Sequence, residues 1–251
     1  DGRVLTGIVR AEDQDAITLV TANETLVLPK SEIEGRKPSA ASMMPDGLLT
    51  PLSEGEVRAL VAYLSGPSQV PMTATPENAK AFFNGRDLTG WEGDPKLWKV
   101  EGGEIVGRTT GLARNDFLRS DLAAADFRLT LQVKLVADKG NSGVQFRSTA
   151  LPDGEMKGYQ ADVGPGWWGK VYEENGRGLI WDKSGEAHVK KGVWNTYEIV
   201  ADGPRIRTSI NGRPCAILND PGGARRGIFA FQLHSGGPTE VRFKDLILEV
   251  R

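Results

Sequence analysis

The sequence predicts a mainly β protein, a two-sheet sandwich preceded by a small β unit with one helix. From residue 78 onward, almost every segment alternates polar and apolar residues or is apolar over the length of a strand. Glycine-rich and Asn-Gly turns separate these segments, and 31 glycines and 14 prolines suit many short strands joined by tight turns. Such strands bury their apolar sides by packing two sheets face to face.

Residues 1–66 predict the small β unit and the helix. Three short apolar or alternating runs fit a three-stranded meander, at 4–9, 16–20 and 25–28. The helix is predicted over 52–64, because Ser53 can cap it, Glu56 completes a capping box, and apolar residues recur at helical spacing. The polar, proline-punctuated stretch 67–77 predicts a linker.

Residues 78–251 predict the sandwich. The clearest strands are 104–106, 127–135, 194–200, 205–210, 227–234 and 241–250. Asn211 and Gly212 follow the fourth of these strands and predict a hairpin with a type I′ turn.

Charge and cysteine usage exclude several classes of protein. The chain has 31 Lys and Arg against 33 Asp and Glu, so no basic surface for nucleic acid or an anionic membrane is expected. Cys215 is the single cysteine, which excludes an intrachain disulfide and a cysteine-rich metal site. No apolar run approaches the ~20 residues of a membrane span. The chain begins at Asp1 without methionine, and we expect it to be part of a longer protein.

Polar residues of several chemical kinds follow one face of the predicted sheet. In the segment 139–147, a glycine-bracketed turn delivers a strand in which Gln145 and Arg147 alternate with apolar neighbours. The same alternation adds Gln160, Asp162, Lys170, Tyr172, Gln232 and His234 on three further strands. Amide, guanidinium, carboxylate, ammonium and phenol groups together predict a sugar site. Taken singly, each residue also fits an ordinary solvated face or, for Arg147 and Asp162, a cross-strand ion pair.

One pair of adjacent tryptophans and one pair of adjacent glutamates extend this prediction. Trp168 follows Trp167 in a glycine-bounded loop, where burial of both rings is difficult, so we expect Trp168 to stack on a sugar ring. An indole that caps the edge of the sandwich is the alternative. Glu173, beside Glu174, is predicted to contact substrate, to bind a cation or to form an acid–base pair.

Other catalytic motifs are absent from the sequence. It contains no His-Glu-x-x-His, P-loop, Gly-x-Ser-x-Gly or EF-hand loop. It also lacks Glu-x-Asp-x-Glu, the strand motif of laminarinase-like glucanases, which disfavours a two-carboxylate retaining glycosidase of that type.

Residues 80–251 resemble the 3-keto-disaccharide hydrolase domain family of secreted bacterial proteins. The matching stretches include Asn-Ser-Gly-Val-Gln-Phe-Arg at 141–147 and Gly-Tyr-Gln-Ala-Asp at 158–162, with further matches at 82–91, 98–107, 194–199, 211–212 and 231–234. The resemblance implies a concanavalin A-like jelly roll and an extracellular or periplasmic location. Many members resemble Gly-Tyr-Glu-x-Gln where this chain has Gln160 and Asp162, which moves the carboxylate ~7 Å along the strand.

The resemblance also implies action on 3-keto-glycosides, that is, net glycoside hydrolysis that begins with removal of the C2 proton and β-elimination. We expect Asp162 as the base, Arg147 and Lys170 stabilising the enolate, and Tyr172 or His234 protonating the leaving oxygen. The three glutamines would bind hydroxyl groups, and a divalent cation could share the cationic role. A non-catalytic carbohydrate-binding module of a larger redox enzyme is the alternative, and an assembly module is a third possibility.

The N-terminal region resembles the last part of haem-binding regions in large planctomycete-type proteins. Residues 42–48 and 56–64 stand where a cytochrome c has its axial methionine and final helix, so Met43 or Met44 would be that ligand. The chain lacks Cys-x-x-Cys-His, and we therefore expect no haem within it. An upstream cytochrome c-like domain of the same protein is the partner that this resemblance implies.

Overall fold

The computed structural model describes residues 2–39, 47–65 and 71–250. Contacts divide the chain into two compact units, Asp1–Pro67 and Ser68–Arg251.

The first unit contains the predicted three-stranded meander. Its antiparallel strands are β1 (Ile8–Glu12), β2 (Ala16–Val20) and β3 (Thr25–Pro29), followed by the 3₁₀ turn Lys30–Glu32. The first strand was predicted at 4–9, which lies too far toward the N-terminus. Its pairing with β2 runs from Ile8 opposite Val20 to Glu12 opposite Ile17.

A helix, α1 (Glu54–Ser65), follows the meander. The backbone N–H of Ser53 donates to Glu56 Oε2 at 2.7 Å, and the backbone N–H of Glu56 donates to Ser53 Oγ at 3.3 Å. This reciprocal pair is the predicted capping box. Met43 and Met44 lie outside the described residues, so their role as haem ligands stays a prediction.

The stretch predicted as a linker, 67–77, contributes instead to the sandwich. Residues 66–70 lie outside the described part, but β4 (Met72–Thr73) pairs in parallel with a strand that contains Leu122 and Ala123. The backbone N–H of Ala74 donates to the Ala123 carbonyl at 2.9 Å. A two-residue strand is too short to carry a periodic pattern, and its partner lies far away in sequence, so local patterns could not predict this pairing.

The second unit is the predicted two-sheet jelly-roll sandwich. After β4 its strands are β5 (Trp91–Glu92), β6 (Trp98–Glu101), β7 (Glu104–Thr109), β8 (Asp116–Ala124), β9 (Phe127–Leu135), β10 (Ser142–Ala150), β11 (Met156–Val163), β12 (Val171–Glu174), β13 (Gly178–Trp181), β14 (Asn195–Asp202), β15 (Arg205–Ile210), β16 (Arg213–Asn219), β17 (Gly227–Leu233) and β18 (Thr239–Val250). Three 3₁₀ turns also occur, at Asn78–Ala81, Val136–Asp138 and Glu186–His188.

Two sheets enclose the core. The eight-stranded sheet has the order β13-β12-β11-β10-β17-β8-β4 with β5 paired to β8, and the seven-stranded sheet has the order β16-β15-β14-β9-β18-β7-β6. Alternate residues of both sheets point inward and form one buried apolar cluster. Between β15 and β16, Asn211 (φ 51°) and Gly212 (φ 74°) are both left-handed, which confirms the type I′ turn.

A bulge in β10 bends the eight-stranded sheet. Arg147 has φ 48°, and the register of β10 shifts there against both neighbouring strands, β11 and β17. Beyond the bulge, Met156 belongs to a second buried apolar cluster with Phe117, Ala123, Ile228 and Ala230. Phe117 and Ala230 alternate with core residues, so this cluster lies on the face of the sheet opposite to the core, which we call the outer face.

Candidate active site

Most of the predicted polar residues do share the outer face. Gln145 lies opposite Gln160, which lies opposite Tyr172. Gly143 lies between Asp162 on one neighbouring strand and Gln232 on the other. Their sequence neighbours occupy the core, namely Val144, Phe146, Ala161, Val171 and Phe231.

A directed chain of hydrogen bonds ends at Asp162. Ser148 Oγ donates to Gln145 Oε1 at 2.7 Å, and Gln145 Nε2 donates to Gln160 Oε1 at 2.9 Å. Gln160 Nε2 then donates to Asp162 Oδ1 at 2.8 Å. All four side chains are buried. Each amide is therefore fixed with its oxygen toward Ser148 and its nitrogen toward Asp162.

The second oxygen of Asp162 is the free end of this chain. Asp162 Oδ2 is buried and has no hydrogen-bond partner among residues 2–39, 47–65 and 71–250. Burial raises the pKa of Asp162 to about 7, with the nearby Glu174 charge adding to the rise and the Gln160 hydrogen bond and Lys170 opposing it. A carboxyl group with an unpartnered oxygen and a near-neutral pKa is suited to accept a proton.

Gly143 makes room for this arrangement. A Cβ atom on Gly143 would lie 2.4 Å from Gln160 Cδ. The Gln160 side chain therefore crosses the bare backbone of β10 on its way to Asp162.

Glu174 and Gln232 form a second polar pair on the outer face. Gln232 Nε2 donates to Glu174 Oε2 at 3.3 Å, and Gln232 Oε1 is buried without a partner in the described part of the chain. Burial and the charge of Glu155 raise the pKa of Glu174, whereas His234 and Gln232 lower it. His234 itself is exposed, with Nδ1 2.7 Å from the carbonyl oxygen of Ser235.

Glu173 does not face this site, which corrects its predicted place there, and Glu174 is the one of the two adjacent glutamates that lies on the outer face. The Glu173 carboxylate accepts from the backbone N–H of Arg177 at 3.0 Å and pairs with the Arg177 guanidinium, which also binds Asp220. Period-two alternation from Tyr172 leads to Glu174, and this signal was present in the sequence.

Lys170, Tyr172 and Trp167 form the opposite side of the site. The backbone N–H of Asp162 donates to the Lys170 carbonyl at 3.1 Å, which places the two residues side by side. Lys170 Nζ lies 2.7 Å from Asp182 Oδ1 and 5.2 Å from the centre of the Trp167 ring. The rings of Trp167 and Tyr172 meet edge to face, with centroids 6.4 Å apart.

Trp168 is a core residue, which corrects its predicted role as a stacking surface. Its side chain is 1% exposed and packs in the apolar cluster between the sheets, whereas Trp167 is 38% exposed. The turn from Gly164, whose carbonyl accepts from the backbone N–H groups of both tryptophans, separates the two rings. Trp167 is the indole available to a ligand.

Arg147 also leaves the predicted face. Its guanidinium donates to the carbonyl oxygens of Ala125 (2.7 Å) and Gly203 (2.8 Å), and it pairs with Asp126 at 2.8 Å. The bulge reverses the alternation at this point, so the side chain is enclosed by loops away from Asp162. The same bulge brings Ser148 into the hydrogen-bond chain, and strand alternation alone could not predict that residue.

Among residues 2–39, 47–65 and 71–250, no three His, Cys, Asp or Glu side chains are grouped to hold a metal ion. A divalent cation at the outer face therefore stays a prediction. No helix in the described part of the chain is long and apolar enough to cross a membrane.

Solved structures share the fold at low sequence identity. A candidate glycosyl hydrolase from Parabacteroides distasonis ATCC 8503 aligns with a TM-score of 0.52 and 19% identity, covering 71% of this chain and 98% of that one. The carbohydrate binding module CBM66 from Bacillus subtilis aligns with a TM-score of 0.50 and 20% identity, covering 64% of this chain and 95% of that one. A Bacillus subtilis protein described as galectin-like in fold aligns with a TM-score of 0.52 and 12% identity, covering 65% of this chain and 91% of that one. At these identities the likeness establishes the fold.

No curated protein matches this sequence. The family model of the 3-keto-alpha-glucoside-1,2-lyase-like domain matches residues 78–249, most of the chain and nearly all of the sandwich. The site described above lies within the matched residues. The protein therefore belongs to the family of 3-keto-alpha-glucoside-1,2-lyase-like domains, and its sandwich is a carbohydrate-related domain.

Proposed function

We propose that the sandwich cleaves 3-keto-glycosides by elimination across the C1–C2 bond of the sugar. The observation that carries this proposal is the unpartnered Oδ2 of Asp162, held at the end of a fixed hydrogen-bond chain and given a pKa of about 7 by burial. Membership of a family described as 1,2-lyase-like supports the same reaction class.

The first step is removal of the C2 proton. A ketone at C3 acidifies this proton, and Asp162 Oδ2 accepts it while the electron pair of the C2–H bond moves toward the ketone oxygen. Lys170, which directly precedes β12 and whose charge lowers the pKa of Asp162, supplies positive charge for the resulting enediolate. Arg147, which we predicted for this role, is enclosed elsewhere.

The second step breaks the bond between C1 and the leaving oxygen. The electron pair of the enediolate forms the C1–C2 double bond, and the leaving oxygen takes a proton. Glu174 is suited to donate this proton, because burial raises its pKa and so favours its protonated form, and because it lies near enough to Asp162 for the two carboxyl groups to interact. Tyr172 and His234, the donors proposed from the sequence, border the same site. Addition of water to the enone product gives net hydrolysis.

The remaining polar side chains bind and orient the sugar in this proposal. Gln232 offers an unpartnered buried oxygen to a hydroxyl group. Gln145 and Gln160 hold Asp162 in place through the hydrogen-bond chain. Trp167, rather than Trp168, supplies the aromatic surface, with Lys170 and Tyr172 against it.

A sugar-binding module without activity is the second candidate. The amide-rich outer face and the exposed ring of Trp167 favour it, because amides and indoles are sufficient to hold a sugar. A carboxyl group buried with an unpartnered oxygen destabilises the fold, and binding alone does not require it. This cost favours the catalytic proposal.

The test is aglycone release from a 3-keto-glucoside with a chromogenic leaving group. We expect release by the purified chain, with an EDTA-treated sample reporting any requirement for a divalent cation. The unoxidised glucoside is the control and should remain intact, because its C2 proton is not acidic. Absence of release, together with measurable binding of glycans, would support the binding module instead.

Release should depend on pH through the ionisation of Asp162. The base is active as the carboxylate, so kcat/KM should be low well below the pKa of about 7 and should rise as pH increases through that value. Measuring kcat/KM from about pH 5 to pH 9 checks this rise. A rate that is flat across neutral pH would contradict the assignment of Asp162 as the base.

The two adjacent tryptophans should respond oppositely to truncation. Trp167→Ala should weaken sugar binding about tenfold with little change in stability, since it removes an exposed stacking ring. Trp168→Ala should lower the free energy of unfolding by about 3–5 kcal/mol, since it empties a buried site. Urea unfolding and glycan titration of both variants measure the contrast, and the reverse pattern would contradict this placement of the rings.

Two predictions about context remain part of the proposal. The family resemblance favours an extracellular or periplasmic location for this protein. The resemblance of the N-terminal region favours an upstream cytochrome c-like domain in the same protein. A redox partner of that kind would be consistent with a substrate that carries a ketone.

A further inference from the structure

A cavity of about 140 Å³ lies on the outer face, beyond Gln232. Its volume is several times the ~30 Å³ of one liquid water. The ring of Phe117 contributes an apolar wall, and the other lining residues are mainly charged or polar: Glu92, Asp94, Arg114, Asn115, Asp116 and Arg119, with Gly93 and Gly154.

The cavity lies on the same row of the sheet as Asp162. Phe117 lies opposite Gln232, Gln232 opposite Gly143, and Gly143 opposite Asp162. Three strand spacings therefore separate Phe117 from Asp162, or ~14 Å along the sheet.

The cavity and the catalytic site also share two walls. Asn115 Oδ1 accepts from the backbone N–H of Ser235 at 2.9 Å, and Ser235 follows His234 of the catalytic site. Gly154 lines the cavity, while its neighbour Glu155 raises the pKa of Glu174. The connecting turn between β10 and β11 therefore borders both.

The lining of the cavity suits a neutral polyhydroxyl ligand. Arg119 Nη2 lies 3.3 Å from Glu92 Oε1, and Arg119 Nε is buried with no hydrogen-bond partner among the residues that the structure describes. Two arginines stand among three carboxylates, so neither a simple anion nor a simple cation is favoured by charge. Sugar hydroxyl groups both donate and accept hydrogen bonds, and they can satisfy groups of both signs at once.

We propose that this cavity binds a remote, non-reacting sugar unit of the same glycoside, beyond the two units of a disaccharide. The inference rests on the proposed function for the position of the reacting unit at Asp162. It extends the substrate class from 3-keto-disaccharides to oligosaccharides that carry one 3-keto unit. Binding energy from the remote unit is then available to orient the reacting unit against Asp162.

The test compares substrate lengths in Arg119→Met and in a matched control. Arg119→Met keeps the length of the side chain and removes its donors, whereas Arg207→Met changes an exposed arginine on the other sheet. The measured quantity is the ratio of kcat/KM for a 3-keto-tetrasaccharide to that for a 3-keto-disaccharide. We expect about a tenfold ratio in the wild-type chain and in Arg207→Met, equivalent to ~1.4 kcal/mol, and a ratio near one in Arg119→Met. Arg114→Met, on an exposed side chain of the same cavity, is the second variant if Arg119→Met fails to fold.

Binding of unoxidised sugars separates this inference from the proposed function. Cellotetraose and maltotetraose are titrated against both variants and observed by NMR. Weaker binding in Arg119→Met alone supports the cavity even if no cleavage occurs. Cleavage with no preference for length, an unchanged preference in Arg119→Met, or tetrasaccharide binding that is absent or unaffected by the substitution would overturn the inference.

Discussion

Asp162→Asn should reduce kcat/KM for a 3-keto-glucoside by about 10²–10⁴, the range of a general base. The amide keeps the shape of the side chain and can still accept the hydrogen bond from Gln160 through one oxygen. It cannot accept the C2 proton. Asp202→Asn, which changes an exposed carboxylate at the end of β14, is the control and should leave the rate unchanged. Activity that persists in Asp162→Asn would assign the base to another residue, with Glu174 the next candidate.

The same substitution should stabilise the sandwich, and the gain should depend on pH. The folded-state pKa of Asp162 is about 7, against the ordinary aspartate value of 3.8, so between these values the folded state holds a proton that the unfolded chain releases. Stability is therefore lost as pH rises between these values. Asparagine does not ionise, so Asp162→Asn does not lose stability in this way. The gain in the free energy of unfolding should be small near pH 4 and on the order of 4 kcal/mol near pH 8. Urea unfolding at both pH values measures it, and an equal effect at both would contradict the raised pKa.

Arg147→Met should lower the free energy of unfolding by about 3–5 kcal/mol, because it removes a buried guanidinium from its hydrogen-bond acceptors and from Asp126. The substitution removes the donor to the Ala125 carbonyl oxygen and one of the two guanidinium donors to the Gly203 carbonyl oxygen, which Arg225 also binds. It also separates Asp126 from its guanidinium partner. Arg207→Met, on the surface, should change stability by less than about 0.5 kcal/mol. Denaturant titration of both variants compares the two arginines.

The cleavage activity of Arg147→Met shows whether Arg147 has a structural or a catalytic role. A variant of unchanged stability that has lost cleavage would restore the catalytic role predicted from the sequence. We expect the reverse, that the fraction of Arg147→Met which remains folded keeps its activity. The Asp126 carboxylate is half exposed, so the pair lies at the edge of the sandwich and not in the sugar site.

Regular alternation accounts for the parts of the site that the sequence predicted. Gln160 and Asp162 share a face because β11 is unbroken from Met156 to Val163, and the register shift in β10 lies outside the segment that pairs with these two residues. The same rule predicted that Tyr172 and Gln232 would join them. Where a strand is regular, period-two spacing is set by backbone geometry and needs no knowledge of distant residues.

The residues that were misplaced lie where regularity ends. Arg147 and Ser148 exchange faces at the bulge in β10, which depends on pairing with two other strands. Trp168 turns into the core because the other sheet offers it an apolar surface, and that surface is assembled from distant segments. Glu173 is an exception, because it lies in a regular part of β12. Period-two alternation from Tyr172 places Glu174, and not Glu173, on the outer face.

The most direct test of the mechanism is the fate of the hydrogen at C2. A 3-keto-glucoside labelled with deuterium at C2 is cleaved in ordinary water, and the label in the first sugar product is measured by mass spectrometry. Elimination initiated by Asp162 predicts that the label is lost, either in an enone or in a hydrated sugar with protium at C2. A sugar product that retains the full label while the aglycone is released would show that the C2–H bond never breaks, and would contradict the proposed mechanism.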